Sequence, residues 1–277
     1  MAEGNLPLDR EEYVEQAHFF GILTERLTQN LPIQELLEQA SHELLSTTKL
    51  PLAVEFMLSE LKHCGVMGTA MARLPHYFTS YQTYLIDEAE RDVGRFDFRT
   101  ALQILLAEAE YRAKGAPSIQ ACFLYQFESL CRNRLRYDQG FAAIAEDPIY
   151  DEDWREWILI VRRQVGIVDF ADLLFVRSGQ YKPPDDSDHV VLFGDREGKI
   201  ARANRQKDPL LLFAALQRHL GYPPVPRIRP VDQTARILPQ MMRRMEQMEQ
   251  RLKLLEAEQR GGIDLQKFYE KNRPNES

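Results

Sequence analysis

GVMGTAMARLPHYFTSYQTYLIDEAERDVGRFDFRTAL, residues 65–102, is the stretch whose reading decides the fold. Gly65, Pro75, Gly94 and Asp97 interrupt an otherwise helical pattern at short intervals. Gly65 is placed to end one helix as its C-cap, and Pro75 forces a turn after a short helix over 69–74. Thr79 is the expected N-cap of a helix through Tyr84, Leu85 and Ala89, which Gly94 stops. Asp97 caps the next, whose Leu102, Leu105, Leu106 and Ala109 fall on one face before Gly115. Phe78 and Leu102 should anchor the core.

Working outward toward the N-terminus, Tyr13, Ala17, Phe20 and Leu27 recur at helical spacing over 11–29, with Asp9 available as a cap. Pro32 opens a helix over 33–45 with Leu36, Leu37, Ala40 and Leu44 on one side, and Pro51 opens another over 52–62. Six helices joined by very short turns predict a bundle of antiparallel neighbours over 11–115.

The order of these signals resembles a known family. An aromatic-led helix (Phe19-Phe20 to Leu27), Leu31-Pro32, Gly65, Ala70, Leu74-Pro75-His76-Tyr77-Phe78, Ala89-Glu90, Gly94-Arg95-Phe96-Asp97 and Ala101-Leu102 follow one another as in the cytoplasmic domain of the type II secretion system F protein. That inner-membrane platform family is shared with type IV pilus assembly. The resemblance covers about residues 15–115 and implies a helical domain that contacts an assembly ATPase and neighbouring inner-membrane platform subunits. Two features depart from the family. Its Gly-Glu pair is Ala89-Glu90 here, three residues from Gly94, and the transmembrane helices that follow each domain are missing. Only Gly115-Ala116-Pro117-Ser118 separates this part from the next.

Beyond that linker the pattern starts again. An offset of 103 carries Phe20 to Phe123, Glu25 to Glu128, Leu27 to Leu130 and Asn30 to Asn133, and an offset of 101 carries Ala70 to Ala171. We read a diverged second repeat over 118–222, with helices near 119–134, 138–145 and 151–165 and a last one over 209–220. Asp151 should cap its helix, and Trp154 and Trp157 should be core residues. Between them, Gly194-Asp195-Arg196-Glu197-Gly198 flanked by 190–193 and 199–203 predicts a small β-hairpin within a loop-rich segment, 178–206.

Pro223, Pro224, Pro226 and Pro230 mark an extended linker over 223–238. From 239 to 260 Met241, Met245, Met248, Leu252 and Leu255 alternate steps of three and four, the seam of a coiled coil. In a parallel pair Arg244 faces Glu249 and Arg251 faces Glu256, so a homodimer is expected through this segment. Residues 261–277 read as a flexible tail. The expected fold class is therefore mainly α: two tandem antiparallel helical bundles, a hairpin elaboration and a C-terminal coiled-coil helix.

Composition narrows the function. The 277 residues carry 42 acidic against 35 basic side chains, a net charge of −7, so non-specific attraction to nucleic acid is not expected overall. The exception is 199–229, where Lys199, Arg202, Arg205, Lys207, Arg218, Arg227 and Arg229 meet Asp208 alone. This basic patch could meet an acidic protein face, anionic lipid or nucleic acid, although without interleaved aromatics base stacking is not suggested. No apolar run reaches the ~20 residues of a membrane-spanning helix, and no signal segment is visible at the N-terminus. Three scattered cysteines fit a reducing compartment, with Cys122 and Cys131 packing as small apolar residues. The expected location is cytoplasmic, or peripheral at the inner membrane.

Catalytic signatures are weak. Glu15-x-x-His18 and Glu60-x-x-His63 place carboxylate and imidazole on one helical face, as in di-iron bundles, and Glu90, Glu108 or Glu128 could complete such a set. No lone glutamate helix lies between the two motifs as those bundles require. Gly194 to Gly198 lacks the lysine and serine of a phosphate-binding loop. A non-enzymatic interaction protein without cofactor is the reading that follows. The alternatives are a dimeric nucleic-acid-binding or regulatory protein using the basic patch, and a metal-dependent helical enzyme.

Overall fold

Six of the described helices begin at a side chain that accepts an amide of their first turn. In the computed structural model, which describes residues 6–29, 31–91, 96–183 and 189–227 with positions 245, 248 and 252, twelve α-helices follow one another with short connections. No helix among the described residues is long and apolar enough to cross a membrane. The chain divides into a unit ending at Ile228 and a second unit from Arg229 onward.

Helix α1 (Arg10–Arg26) starts after extended Asp9, whose carboxylate makes no capping bond. The shorter α2 (Ile33–Ser41) stops four residues before the expected end at Leu45. Two carboxylates of α1 hold the connection that follows it: Glu15 accepts the Leu45 amide at 2.6 Å, and Glu12 accepts the Lys49 amide at 2.9 Å. Helix α3 (Leu50–Cys64) carries Pro51 in its first turn and ends at Gly65, whose φ of 71° is the left-handed conformation that glycine adopts without strain. Then come α4 (Met67–Ala72), α5 (Ser80–Glu90) and α6 (Phe98–Ala113). Thr79 and Gln82 form a reciprocal capping box on α5, and Asp97 accepts the Thr100 amide at 2.8 Å on α6.

The second six helices are α7 (Ile119–Asn133), α8 (Tyr137–Ala145), α9 (Glu152–Gln164), α10 (Phe170–Val176), α11 (Asp195–Ala203) and α12 (Pro209–Leu220). Ser118, Asp151, Asp169 and Asp208 each accept an amide in the first turn of the helix they precede. In the first set α1 packs along α6, α2 on α3 and α4 on α5. In the second, α7 packs on α12, α8 on α9 and α10 on α11. Contacts of α5 with α8 and of α6 with α7 connect the sets, and one hydrophobic core runs from Phe19 to Val225.

Helix α7 lies at the centre. Every residue from 121 to 130 is buried, so no side of this stretch faces water. Phe123 packs on Trp157 with ring centroids 4.9 Å apart, and Phe127 meets Phe170 at 4.7 Å and Phe141 at 4.9 Å. Trp154 and Trp157 are 3% and 2% exposed, both flanking Phe193 at 5.2 Å.

The hairpin expected over 178–206 does not form. Gly194 adopts an extended conformation and caps α11, and Asp195 and Glu197 occupy the first turn, where carboxylates suit the positive end of a helix. Preceding residues reach the rest of the fold through an isolated bridge between Ser178 and Phe193. There is no named strand among the described residues.

Candidate interaction surfaces

Helix α11 presents the charged face picked out in the sequence. Close approach fixes its inner side: a Cβ at Gly198 would lie 2.2 Å from the Ser178 hydroxyl, so only glycine lets the helix seat there. Glu197 is buried and meets His219 Nε2 of α12 at 2.7 Å, while Ala201 is fully buried. On the outer side Lys199 and Arg202, three positions apart, are exposed and have no side-chain partner among the described residues.

The other two predicted cations are engaged. Arg205 pairs with Asp172 of α10 and lays its guanidinium 5.0 Å from the Phe175 ring centroid. Lys207 donates to the Ala203 carbonyl at 2.6 Å, closing the end of α11. Arg218 and Arg227 are exposed, and Arg229 lies outside the described residues.

Of the dimerisation set, Met245, Met248 and Leu252 are helical and 58%, 59% and 58% exposed. Met241, Arg244, Glu249, Arg251, Leu255 and Glu256 lie outside the described residues, as does most of 228–277. The same is true of Gly94 and Arg95 in the decisive stretch and of the loop residues 184–188.

Comparison with protein-family models, with curated proteins and with solved structures finds no match to this chain. Functional reading therefore rests on the side chains themselves.

The largest polar constellation is internal, and sequence reasoning missed it. Arg112 of α6 pairs with Asp147 at 2.5 Å and Glu108 at 2.8 Å. Gln126 of α7 donates to Glu108 at 2.8 Å and Asp147 at 3.0 Å, and accepts from the Tyr150 hydroxyl at 2.7 Å. Burial alone would lower the Arg112 pKa, but the Asp147 and Glu108 carboxylates overcome it and hold the group well above its ordinary value. Burial raises the Glu108 carboxyl above the usual range, opposed by Arg112. These groups are closed off from solvent and bonded to one another, with Glu108 Oε2 and Arg112 Nε left without a hydrogen-bond partner, and they form a polar network inside the core. The same burial pushes the Cys122 thiol up to about 12, as it does for Cys131.

The carboxylates considered for a metal centre are spread over separate tasks. Glu15 holds the Leu45 amide, Glu60 pairs with Arg73, and Glu128 accepts from Arg132 and Tyr222. Glu90 accepts the Met67 and Gly68 amides at 2.7 and 2.8 Å, tying the end of α5 to the start of α4. Among the described residues no group of three or more His, Cys, Asp or Glu could hold a metal ion.

An open groove of about 290 Å³ runs between α4, α5 and α8, lined among others by Phe78, Tyr84, Asp87, Arg136 and Gln139. Arg136 is already paired with Glu88, and Asp87 is held above the usual carboxylate range by burial and then by the nearby Glu88. Its polar contacts include the Ser80 hydroxyl, which donates to Glu146 at 2.6 Å.

Proposed function

We propose that the chain is a non-enzymatic scaffold made of two tandem copies of a six-helix unit like the cytoplasmic domain of the type II secretion F family. On this reading it serves a secretion or pilus-type assembly as an accessory or regulator. One observation carries the reading: two turn signals of the decisive stretch, a glycine after the third helix and an aspartate cap on the sixth, recur in both sets of helices. The third helix of each set is followed by a left-handed glycine, Gly65 at φ 71° and Gly166 at φ 84°. The sixth helix of each is capped by an aspartate, Asp97 and Asp208. The first helix of each buries a phenylalanine completely, Phe20 and Phe123.

The pattern is one of capping and packing, which suits a module whose work is done by its surface. Its expected partners are an assembly ATPase or inner-membrane platform subunits. The heptad over 239–260 would pair two copies of the chain, with Met245, Met248 and Leu252 on the seam. Affinity purification of the full chain from its own cells tests the proposal. Recovery of an assembly ATPase or of platform subunits supports it, and their absence from a preparation that recovers other partners in stoichiometric amount overturns it.

A further inference from the structure

We propose that the end of the molecule formed by the α9–α10 and α11–α12 connections is a docking surface for an anionic lipid bilayer. Asp169, the cap of α10, also accepts the Gln206 amide at 2.6 Å, which fastens the two connections side by side. Apolar side chains stand out from both. Ile167 is 83% exposed on the first, while Leu210 and Leu211 are 42% and 54% exposed in the first turn of α12. A branched aliphatic side chain left four-fifths in water on a five-residue connection contributes nothing to the core beneath it.

Charge decides what covers it. Arg202 stands in the last turn of α11, Lys207 in the connection after it and Lys199 three positions before Arg202, whereas the acidic groups there are committed: Asp172 pairs with Arg205, and Asp169 and Asp208 are taken up by backbone amides. In a chain of net charge −7, this end is therefore cationic with an apolar tip. That combination fits a surface offering negative headgroups over hydrocarbon, with the aliphatic side chains entering the interface and the cations at headgroup level. A nucleic acid would use the cations and leave Ile167, Leu210 and Leu211 in water. The protein would lie on the membrane rather than span it. This inference does not depend on the secretion reading, because it uses only the lipid as partner.

Sedimentation of the full chain with vesicles of phosphatidylcholine, alone or mixed with phosphatidylglycerol, tests it. Binding is expected to the mixed vesicles only and to weaken with added salt. Lys199→Gln and Arg202→Gln should each lower the partition coefficient about fivefold, the value of one charge near an anionic surface. Ile167→Ser and Leu211→Ser should lower it several-fold at any salt concentration, and because all four side chains are exposed the variants should melt as the wild type does. Failure of the full chain to sediment with the mixed vesicles overturns the proposal. So does binding that ignores the serine variants, or retention on DNA lost with the glutamine variants and kept with the serine ones.

Discussion

Arg112 and Asp147 form an ion pair of 2.5 Å with side chains 2% and 0% exposed, joining α6 to the turn after α8. Removing one partner of a buried pair leaves the other charge uncompensated in a medium that solvates it poorly. Arg112→Met should therefore cost about 3–5 kcal/mol, read as a lowered urea midpoint. Replacing Asp147 and Glu108 by apolar residues in the same chain should recover much of that loss, because the stranded charges go too. An unchanged midpoint for Arg112→Met would show that the pair contributes no stability.

Gly65 and Gly166 hold φ values of 71° and 84°, and a Cβ at either meets nothing within 4 Å. Alanine at these positions is limited by backbone conformation rather than by space. Gly65→Ala and Gly166→Ala should each cost about 1–2 kcal/mol and by similar amounts. Unequal melting shifts would break the equivalence on which the tandem reading leans.

Helix N-caps divide into those with a side-chain bond, such as Thr79 and Asp151, and those without, such as Asp9. Thr79→Ala and Asp151→Ala remove observed capping bonds and should each cost about 1 kcal/mol. Asp9 makes no side-chain cap bond, so Asp9→Ala should cost only a few tenths, the residual interaction with the helix dipole. Chemical denaturation of the three variants gives the ranking directly.

The raised Cys122 and Cys131 thiols leave little thiolate at pH 8, since both sit near 12 against an ordinary 9.0. In a background of Cys64→Ser and Cys131→Ser, which leaves buried Cys122 alone, the folded chain should react with a thiol reagent no faster than it unfolds, and denaturant should release the thiol. Rapid stoichiometric labelling without denaturant would contradict the burial of α7.

Exposed Met245, Met248 and Leu252 gain a partner if two chains pair. Light scattering should give twice the chain mass for full-length protein and a monomer for a chain ending at Pro230. Equal masses for the two would sink the coiled coil.

Much of the helix order could be read from punctuation. Gly65 and Pro51 act through their own backbone conformation and Thr79, Asp97 and Asp151 through bonds within a turn of themselves, so their residue types reveal their positions. The buried network was hidden for the opposite reason. Arg112 and Asp147 are 35 positions apart, and an arginine on a helix ordinarily reads as solvated. The basic patch was visible as a count of charges, yet Arg205 is committed to Asp172, 33 positions away, which spacing alone cannot reveal. At Gly194 two local rules competed. Glycines flanking Asp195-Arg196-Glu197 suggest a turn, but the acidic first turn and the burial of Ala201 favour a helix. Nine residues carry too little periodicity to separate them.

The burial of α7 on every side bears on how the chain is made. A ribosome that has released residues up to 115 has delivered six helices with both Glu108 and Arg112, while Asp147, the second carboxylate on Arg112, comes 35 residues after it. Until α7 follows, the surface destined to cover it has nothing packed on it. Synthesis order thus sets the moment at which the Arg112 and Glu108 pair can gain its second carboxylate.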